Sequence, residues 1–575
     1  MVKNKNYKLQ ITNYIFQKYY FLFFLICNLQ SAICNSLSAQ QVGEKYWLQF
    51  TDKKNTSFSF SNPEKFLSQR AIGRRKNQNI NITENDFPVN SDYIDSVVKS
   101  GVLLLNKSKW LNGITVEIID STALSKIKKF PFVFEIKFIK PVTMFKKENQ
   151  EINNKFGWKN ENDFLNNTNE SPVNYGNSFN QIKMLAGNQL HDLGFRGQGK
   201  IIAVLDAGFW RANEIKAFDS LRANNQILGT WDFVKNEVNV YDDDSHGMFV
   251  LSLMGGHLEE KLIGTAPKAN FWLLRSEDAR SEYLIEEYNW VAAAEFADSV
   301  GADIINSSLG YSEFNDTTQN HSYNDLNGNT TVVTKGADIA ASKGILVVNS
   351  AGNEAQTSWK QIIAPADGDS VLAVGAVDSL GKYAAFSSLG LSSDNRIKPN
   401  VAAQGEAVTL ARDSGIFNGS GTSFSSPIIA GMAACLWQAH PEKTNMEIIN
   451  AIQQSANQFN KPDKKLGYGI PNFSVAYYTL SEHKKTNEVE LLQIFPNPFK
   501  DDFEFAVSPN SKEEIAVQIF DFNGKNIYKF SETKINVIKN YRWVKIENLD
   551  FMSAGVYKVS IKIQSEKFVR TIVKY

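Results

Sequence analysis

A serine that could act as a nucleophile, Ser423, lies within the stretch Asn418–Pro427, and the apolar run Ile428–Trp437 follows that stretch. Glycines in the first stretch allow a tight turn. The apolar run is too short to span a membrane, so it predicts a buried core helix. Ser423 would then lie at the helix N-terminus, where unpaired N–H groups and the helix dipole favour negative charge. Nucleophilic acyl chemistry needs a serine in such a place, although serine is also a common helix N-cap.

A nucleophilic serine needs a general base, and the base needs a carboxylate that orients it. Among the six histidines, His246 is the best candidate because it begins a predicted helix, His246–Gly256. Asp206 is the best candidate carboxylate because it follows the buried strand Ile201–Leu205, and open α/β sheets place their sites at the carboxyl ends of strands. Each residue also has a plainer interpretation. His246 could be a histidine whose ring is hydrogen-bonded in the interior or faces solvent, and Asp206 could be a turn aspartate before glycine.

The elements that must position these residues alternate between helix and strand from about Gln181 onward. This alternation predicts a parallel sheet that helices cover on both faces. The predicted helices are Glu282–Val300 and one around Gly336–Lys343. The predicted strands are Gly199–Leu205, one within Ile263–Leu274, Asp303–Asn306, Ile345–Asn349 and Val371–Val377.

Residues 42–140 predict a separate compact unit. Its order is strand, helix, strand, strand, helix, strand with one extra short helix, which is typical of a ferredoxin-like fold. Asn62-Pro63-Glu64 is a helix-start pattern, and the helix is predicted to continue to about Lys76. The unit carries no catalytic constellation. An asparagine-rich linker, residues 141–175, follows and predicts an accessible place for proteolytic cleavage.

The two ends of the chain have their own signatures. Lysines precede the apolar stretch Tyr19–Cys27, and this order predicts a signal peptide, residues 1–39, that is cleaved after Ala39. Its removal leaves only Cys435, so the exported chain can form no internal disulfide. After a polar spacer, Leu491–Tyr575 predicts a small β-sandwich with a hairpin turn at Asn523-Gly524.

Bulk composition limits the class of partner. The chain has 575 residues, for which two to four domains are expected. Lys+Arg and Asp+Glu balance at 61 each, which argues against nucleic acid or another polyanion as a partner. The apolar and charged fractions, 43% and 21%, are ordinary for a soluble globular protein.

The order aspartate, histidine, serine on an α/β scaffold is the subtilisin order among known triads. The span Gly176–Tyr478 resembles the subtilisin-like serine peptidase (subtilase) family. Val204–Gly208 is similar to the aspartate block of that family, His246–Val250 to its histidine block and Ser420–Pro427 to its serine block. This resemblance implies that Ser423 attacks the scissile carbonyl, that His246 shuttles the proton and that Asp206 orients and stabilises the imidazolium.

Two further segments fit the same family. Leu346–Glu354 resembles its Ala-Gly-Asn block, which implies that Asn353 donates to the oxyanion, whereas the plainer interpretation is a turn asparagine after a strand. Ile305–Gly310 resembles the edge strand that pairs with an extended substrate. The substrate-binding residues implied by this resemblance are Ser307, Ser308, Leu309 and Gly310.

The flanking regions also carry resemblances. The unit before the linker resembles the inhibitory propeptides of subtilases, which implies an intramolecular inhibitor and folding aid. The tail is similar to the C-terminal sorting domain of the type IX secretion system, on the segments Ile494–Phe499, Asp521–Lys525 and Ser553–Tyr557. That likeness implies export through outer-membrane secretion machinery to the cell surface or medium. An ordinary adhesive β-sandwich is the alternative.

The sequence therefore predicts a secreted serine endopeptidase made as a zymogen and acting on polypeptides. The predicted fold class is α/β, a subtilisin-like parallel sheet sandwiched by helices, after a ferredoxin-like α+β propeptide and before a small all-β sandwich. No cofactor is required, and a structural calcium is possible without assignable ligands. The predicted divisions are the signal peptide (residues 1–39), the propeptide (40–140), the linker (141–175), the peptidase domain (176–480), the spacer (481–489) and the C-terminal sorting domain (490–575).

Three departures from the family pattern keep two other functions open. Ala207, Met248 and Ser425 stand where serine or threonine, threonine and alanine are usual. None of them removes a reacting atom, but weaker support around the triad fits a surface binding module that has lost turnover. An esterase using the same triad would differ only in its substrate. The acidic run Asp242–Asp244 predicts a solvated loop that raises the His246 pKa if it lies close.

Overall fold

The structure is a computed structural model in which the N-terminal, central and C-terminal parts of the chain form three domains. It describes residues 43–142, 159–161, 173–481, 490–491, 494, 499–508, 514–521, 523–531, 536–538, 541–563 and 566–574. The predicted signal peptide and most of the linker and spacer lie outside these residues. Within these ranges, every helix is too short or too polar to cross a lipid bilayer.

The N-terminal domain, residues 43–142, is an antiparallel sheet covered by helices. Its sheet has the order β2-β3-β1-β4, which is the predicted ferredoxin-like order. Its elements are β1 (Lys45–Phe50), α1 (Gln69–Asn77), α2 (Ser91–Val98), β2 (Val102–Ser108), β3 (Gly113–Ile118), α3 (Ala123–Ile127) and β4 (Val133–Lys140).

The predicted start of the first helix is wrong. Pro63–Lys65 forms only a single 3-10 turn, and α1 begins at Gln69, where the Ser68 side chain accepts a hydrogen bond from the Ala71 N–H. Two helix-start signals, Pro63 and Ser68, lie within six residues of each other. The longer helix begins after Ser68 because this serine side chain pairs an N–H group that would otherwise have no partner. Buried Leu67 lies between the two turns.

The central domain, residues 173–481, is built on a seven-stranded parallel sheet with the order β14-β13-β12-β11-β6-β10-β7. Alternate residues of the interior strand β6 enter two different hydrophobic cores: Ile202 and Val204 on one face, Ala203 and Leu205 on the other. The seven strands are β6 (Ile201–Asp206), β7 (Ile227–Asp232), β10 (Asn270–Arg275), β11 (Ile304–Ser307), β12 (Leu346–Ser350), β13 (Val371–Val377) and β14 (Val401–Gln404).

Helices cover both faces of this sheet, as predicted from the helix–strand alternation. Both edge strands, β7 and β14, escaped prediction because β7 is only partly buried and β14 has only four residues. The helices are α4 (Phe179–Lys183), α5 (Gly187–Asp192), α6 (Asp219–Ala223), α7 (His246–Gly255), α8 (Ile285–Val300), α9 (Val332–Ser342), α10 (Thr422–Ala439), α11 (Asn445–Gln454) and α12 (Phe473–Leu480).

Five short strands form two small antiparallel sheets, one of which leads into α10. β16 is followed almost directly by α10 and lies between β15 and β5 in a three-stranded antiparallel sheet. The strands are β5 (Lys159–Glu161), β8 (His257–Leu258), β9 (Leu262–Ile263), β15 (Val408–Arg412) and β16 (Gly415–Ser420).

The C-terminal domain, described in parts between residues 490 and 574, consists of two four-stranded sheets around one core. β19 and β20 pair as antiparallel strands on either side of Asn523-Gly524, which confirms the predicted hairpin. β17, β20 and β21 were not predicted. The strands are β17 (Glu490–Leu491), β18 (Phe503–Ser508), β19 (Ile515–Phe520), β20 (Asn526–Ser531), β21 (Asn536–Ile538), β22 (Tyr541–Ile546), β23 (Gly555–Ile563) and β24 (Glu566–Lys574).

The N-terminal domain docks on α8 of the central domain through a buried charged cluster. Asp298 of α8 forms ion pairs with Arg74, with Arg75 (2.9 Å) and with Lys109 (3.1 Å), and all four side chains are buried. Glu295, one turn earlier, accepts hydrogen bonds from the Ser108 hydroxyl (2.5 Å) and from two backbone N–H groups of residues 109 and 110. The interface therefore satisfies both of these carboxylates.

Candidate active site

Asp206 ends β6, an interior strand of the sheet, and is fully buried. Its position follows from the apolar strand before it, whose two neighbours, β10 and β11, hold it in parallel register. The Ala207 N–H donates to Asp206 Oδ1 at 2.8 Å. This places the carboxylate at the carboxyl edge of the sheet, where α/β folds gather reacting groups.

His246 begins α7 and places its ring against that carboxylate. His246 Nδ1 lies 2.7 Å from Asp206 Oδ1, and the His246 N–H donates to Asp244 Oδ1 at 2.7 Å. The helix approaches the strand closely because the next residue is Gly247: a Cβ there would lie 2.5 Å from the Gly208 carbonyl oxygen and 2.8 Å from Asp206 Cβ. A larger residue would push the histidine away from its partner.

The surroundings of His246 favour the protonated ring. Burial lowers the pKa of His246, but the charge and the hydrogen bond of Asp206, with further contributions from Asp244 and Glu277, raise that pKa above its ordinary value. The predicted electrostatic effect of the acidic run therefore comes from Asp244. A base that gains a proton next to a buried carboxylate is suited to accept the proton of a serine.

Ser423 is the second residue of α10, and it is only 3% exposed. Its Oγ donates to the Ser308 carbonyl at 3.3 Å, and the Ser308 hydroxyl donates back to the Ser423 carbonyl at 2.9 Å. The apolar run behind it is buried as a core helix, as predicted. The serine is thus held on a rigid element and tied to the end of strand β11.

The Asn353 side chain is oriented by Thr422, the residue before the nucleophile. Asn353 Oδ1 accepts hydrogen bonds from the Thr422 N–H (2.8 Å) and from its hydroxyl (3.0 Å). These two bonds identify Oδ1 as the accepting end, so Nδ2 is the end that can donate to an oxyanion. Thr422 was not singled out from the sequence, although it lies inside the serine block.

The four residues predicted to contact substrate separate into two groups. Ser307 is the last residue of β11, pairs with strands on both sides and accepts a hydrogen bond from Trp290 Nε1 at 2.9 Å. It belongs to the interior of the sheet. Ser308, Leu309 and Gly310 continue past the strand end beside Ser423, and Asn349 Nδ2 holds the Leu309 carbonyl at 3.0 Å.

The three departures from the family pattern leave the backbone around the triad in place. Ala207 is buried, donates to Asp206 and accepts from Arg275 Nε at 2.8 Å. Met248 packs in the core below the histidine. The Ser425 hydroxyl donates to the Thr422 carbonyl at 3.0 Å within its own helix. Each substitution is thus absorbed by packing or by a local hydrogen bond.

Among the described residues, three carboxylates lie close enough to share a metal ion: Glu277, Glu282 and Glu286, with oxygens within 4.8 Å of one another. The Tyr311 hydroxyl donates to Glu277 Oε2 at 2.7 Å. An acidic cluster alone does not define a cation site, so the calcium expectation gains no ligand set from it.

Three family profiles match the chain in separate regions. The profile described as Subtilase family matches residues 197–469. The profile described as Peptidase S8 propeptide domain, Bacteroidota, matches residues 45–155. The profile described as Secretion system C-terminal sorting domain matches residues 493–575. The three matches follow the order of the three domains.

Similar proteins come from several bacteria. Subtilisin NAT of Bacillus subtilis subsp. natto is 31% identical over 289 residues, which are 49% of this chain and 66% of the relative. Subtilisin of Bacillus pumilus is 31% identical over 289 residues, 49% of this chain and 91% of the relative. MycP1 from Mycobacterium smegmatis is a solved structure with a TM-score of 0.42 and 20% identity, covering 57% of this chain and 91% of that one. The matches thus span 66% to 91% of these proteins.

Proposed function

The chain belongs to the subtilase family, and from this premise we propose that it is an exported serine endopeptidase made as a zymogen. The observation that carries the proposal is the buried pair of His246 Nδ1 and Asp206 Oδ1, 2.7 Å apart, at the sheet edge that also holds Ser423. Burial of such a pair is costly unless its members are hydrogen bonded. A reaction that needs an oriented base accounts for that cost.

In the proposed mechanism Ser423 Oγ attacks the carbonyl carbon of a peptide bond while His246 takes the serine proton. The imidazolium is stabilised by Asp206. The oxyanion that forms is stabilised by Asn353 Nδ2 and by N–H groups at the start of α10. His246 then protonates the leaving amine, and one water molecule releases the acyl group from Ser423. These steps draw on no cofactor.

We assign substrate binding to residues 308–310, which lie beside Ser423. An extended peptide that adds to this segment would be held by main-chain hydrogen bonds, which accept many sequences. This supports a polypeptide as the substrate rather than a small ester. It does not depend on Ser307, which lies within the sheet.

The N-terminal domain is proposed to be the inhibitor that keeps the enzyme inactive before maturation. Support comes from the propeptide profile match and from the buried interface of Asp298 and Glu295 on α8. Trp47 also stacks on Tyr288 of α8, with ring centroids 4.6 Å apart. An interface with this many buried charges and rings is specific to one partner.

Export is proposed from the two ends of the chain. The first residues have the order of a signal peptide, and residues 493–575 match a secretion sorting domain. A protein with both would enter the periplasm by its N-terminus and be carried across the outer membrane by machinery that recognises its C-terminus. The secreted or surface-bound enzyme would then meet extracellular polypeptides.

A fluorophosphonate probe tests the proposal directly, since it labels only a serine that a base has activated. We expect the processed protein to be labelled at Ser423 and to hydrolyse casein. Ser423→Ala should abolish labelling and lower kcat by about a millionfold, a magnitude known from subtilisin. Hydrolysis of a simple ester without cleavage of any peptide would indicate the esterase. A folded, processed protein that stays unlabelled would indicate the binding module.

A further inference from the structure

Arg275 lies at the carboxyl edge of the sheet, between two aspartates on neighbouring strands. It is the last residue of β10, and its register partners are Asp206 of β6 on one side and Asp232 of β7 on the other. All three side chains are completely buried. An arginine stays charged when it is buried, so its burial is tolerated only where its N–H groups find acceptors. The acceptors of Arg275 therefore indicate which parts of the chain this residue holds.

The Arg275 guanidinium contacts three separate segments of the chain. Its Nε donates to the Ala207 carbonyl at 2.8 Å. Its Nη1 donates to Asp232 Oδ2 at 2.7 Å, and its Nη2 lies 3.1 Å from Asp243 Oδ2. One arginine can make these contacts together because its donors form a rigid, planar fork. Arg275 thus joins the end of β6 to the end of β7 and to the loop before α7.

The loop that contains Asp243 determines where α7 begins. Asp243 comes three residues before His246, and Asp244 Oδ1 accepts a hydrogen bond from the His246 N–H at 2.7 Å. The same loop lies against the chain that follows Asp206, because the Trp210 N–H donates to the Asp244 carbonyl at 3.0 Å. A displacement of this loop would therefore displace the histidine at the start of the helix.

Arg275 therefore holds a neighbour of each member of the buried pair. On one side it binds the carbonyl of Ala207, the residue after Asp206, whose methyl side chain offers no polar contact of its own. On the other side it binds Asp243, in the loop that leads to His246. The 2.7 Å contact between His246 Nδ1 and Asp206 Oδ1 needs a fixed distance between these two backbones. A single side chain bridges them.

We propose that Arg275 is a positioning residue for peptide hydrolysis, which keeps the Asp206 carboxylate aligned with the His246 ring. The inference rests on the proposed protease function. Arg275 acts through Ala207 and Asp243 rather than on the reacting atoms. A misplacement of about 1 Å can cost about 100-fold in rate. Loss of either contact should therefore lower kcat and leave KM nearly unchanged, because the alignment of the base matters in the transition state and not in substrate binding.

Two adjacent aspartates provide a matched test. Asp242 and Asp243 pair with Lys235 at 3.4 and 3.2 Å, and Asp243 also lies 3.1 Å from Arg275. Asp243→Asn should lower kcat about 10-fold and change KM by less than about 2-fold, because it weakens the contact with Arg275. Asp242→Asn removes a charge from the same loop without altering that contact, so its kcat and KM should stay within about 2-fold of the wild-type values.

Replacement of Arg275 itself should have a larger effect. Arg275→Gln, combined with Asp232→Asn so that this aspartate is not left buried and unpaired, should lower kcat about 100-fold. Arg275→Lys should lie between this variant and the wild type, since lysine keeps the charge but not the planar fork. Each kcat is expressed per Ser423 that a fluorophosphonate probe labels at completion, so a loss of folded protein does not lower it. Arg542→Gln, at a buried residue of the C-terminal domain, is the control and should leave kcat per labelled site unchanged.

The outcomes separate this inference from the proposed function. Equal kcat per labelled site in the Asp243→Asn and wild-type enzymes would overturn the role of Arg275, while labelling of Ser423 upholds the protease. A change in KM alone would also overturn it, because that result would assign Arg275 to substrate binding. A wild-type protein that is folded but neither labelled nor active on peptides would overturn both. The comparison of Asp242→Asn with Asp243→Asn decides the matter even where the Arg275 variants do not fold, because both aspartates reach the protein surface.

Discussion

His246 Nδ1 lies 2.7 Å from Asp206 Oδ1, and both side chains are completely shielded from solvent. The two residues belong to different elements, Asp206 at the end of the interior strand β6 and His246 at the start of the buried helix α7. Their contact depends on Gly247, which lets the helix end approach the strand. A carboxylate in this position orients the ring and stabilises its protonated form.

The first prediction concerns the pH dependence of activity. The pKa of His246 is raised above its ordinary 6.5 because the charge and hydrogen bond of Asp206 outweigh the effect of burial. Only the neutral ring accepts the serine proton, so kcat/KM should rise with pH through a midpoint above 6.5. Asp206→Asn should shift this midpoint down and lower kcat about 10,000-fold, as in serine peptidases that lose this carboxylate.

The measurement is kcat/KM between pH 5 and pH 10 with a peptide substrate. Asp413→Asn, a change in an exposed ion pair with Arg211, serves as the control and should leave the profile unchanged. A midpoint below 6.5 in the wild-type enzyme would contradict the role assigned to the pair.

The second prediction concerns the oxyanion. Asn353→Ala should lower kcat roughly 100- to 1000-fold with little change in KM, a magnitude that comes from subtilisin, where such a donor has been removed. Thr422→Val is the matched control, because it removes one of the two hydrogen bonds to Asn353 Oδ1 and keeps the backbone N–H bond. Its effect should be smaller than that of Asn353→Ala. Steady-state kinetics on both variants decide the order.

Asp206, His246 and Ser423, the proposed reacting residues, could be singled out from the sequence because each lies in a short contiguous block. Asp206 follows its own strand, His246 begins its own helix and Ser423 precedes its own apolar run. Local patterns therefore contain both the residue type and its supporting element. The helix–strand alternation likewise predicted the parallel sheet and its coverage by helices.

Features that join distant segments could not be predicted in this way. Ile363 comes ten residues after Asn353 in the sequence, and only the folded chain brings it between Gly310 and Gly352. Asp298 meets Arg74 across more than two hundred residues. Their residue types are ordinary, and nothing near them in the sequence indicates a partner. Such contacts follow from the tertiary arrangement of domains rather than from periodicity.

The third prediction concerns the docking of the N-terminal domain. Asp298→Asn keeps the shape of the side chain but leaves the charges of Arg74, Arg75 and Lys109 in a buried site without their common partner. Breaking a buried ion pair costs about 3–5 kcal/mol. The variant should therefore release its N-terminal domain more readily. Asp413→Asn, at an exposed pair, should change stability by less than about 1 kcal/mol.

Hydrogen exchange on the full chain carrying Ser423→Ala separates docking from cutting. In the Asp298→Asn version, exchange of the amides in α1 and β2 should become faster, while amides of β6 and β11 keep their protection. Unchanged exchange in the N-terminal domain would show that the charged cluster does not hold the interface.

The last prediction concerns the contact between the C-terminal and central domains. Trp543 packs against Tyr478 of α12 with ring centroids 5.9 Å apart, and Val475 and Ala506 complete this small buried cluster. Trp543→Ala removes its largest side chain, so the C-terminal domain should separate from α12, and hydrogen exchange of the α12 amides should become faster. The kcat/KM of the enzyme should not change, since Ser423 and His246 lie on other elements. Val569→Ala, at an exposed position of the same domain, is the control and should leave the exchange of the α12 amides unaltered. Equal exchange of the α12 amides in the wild-type and Trp543→Ala chains would mean that this cluster does not fix the domain.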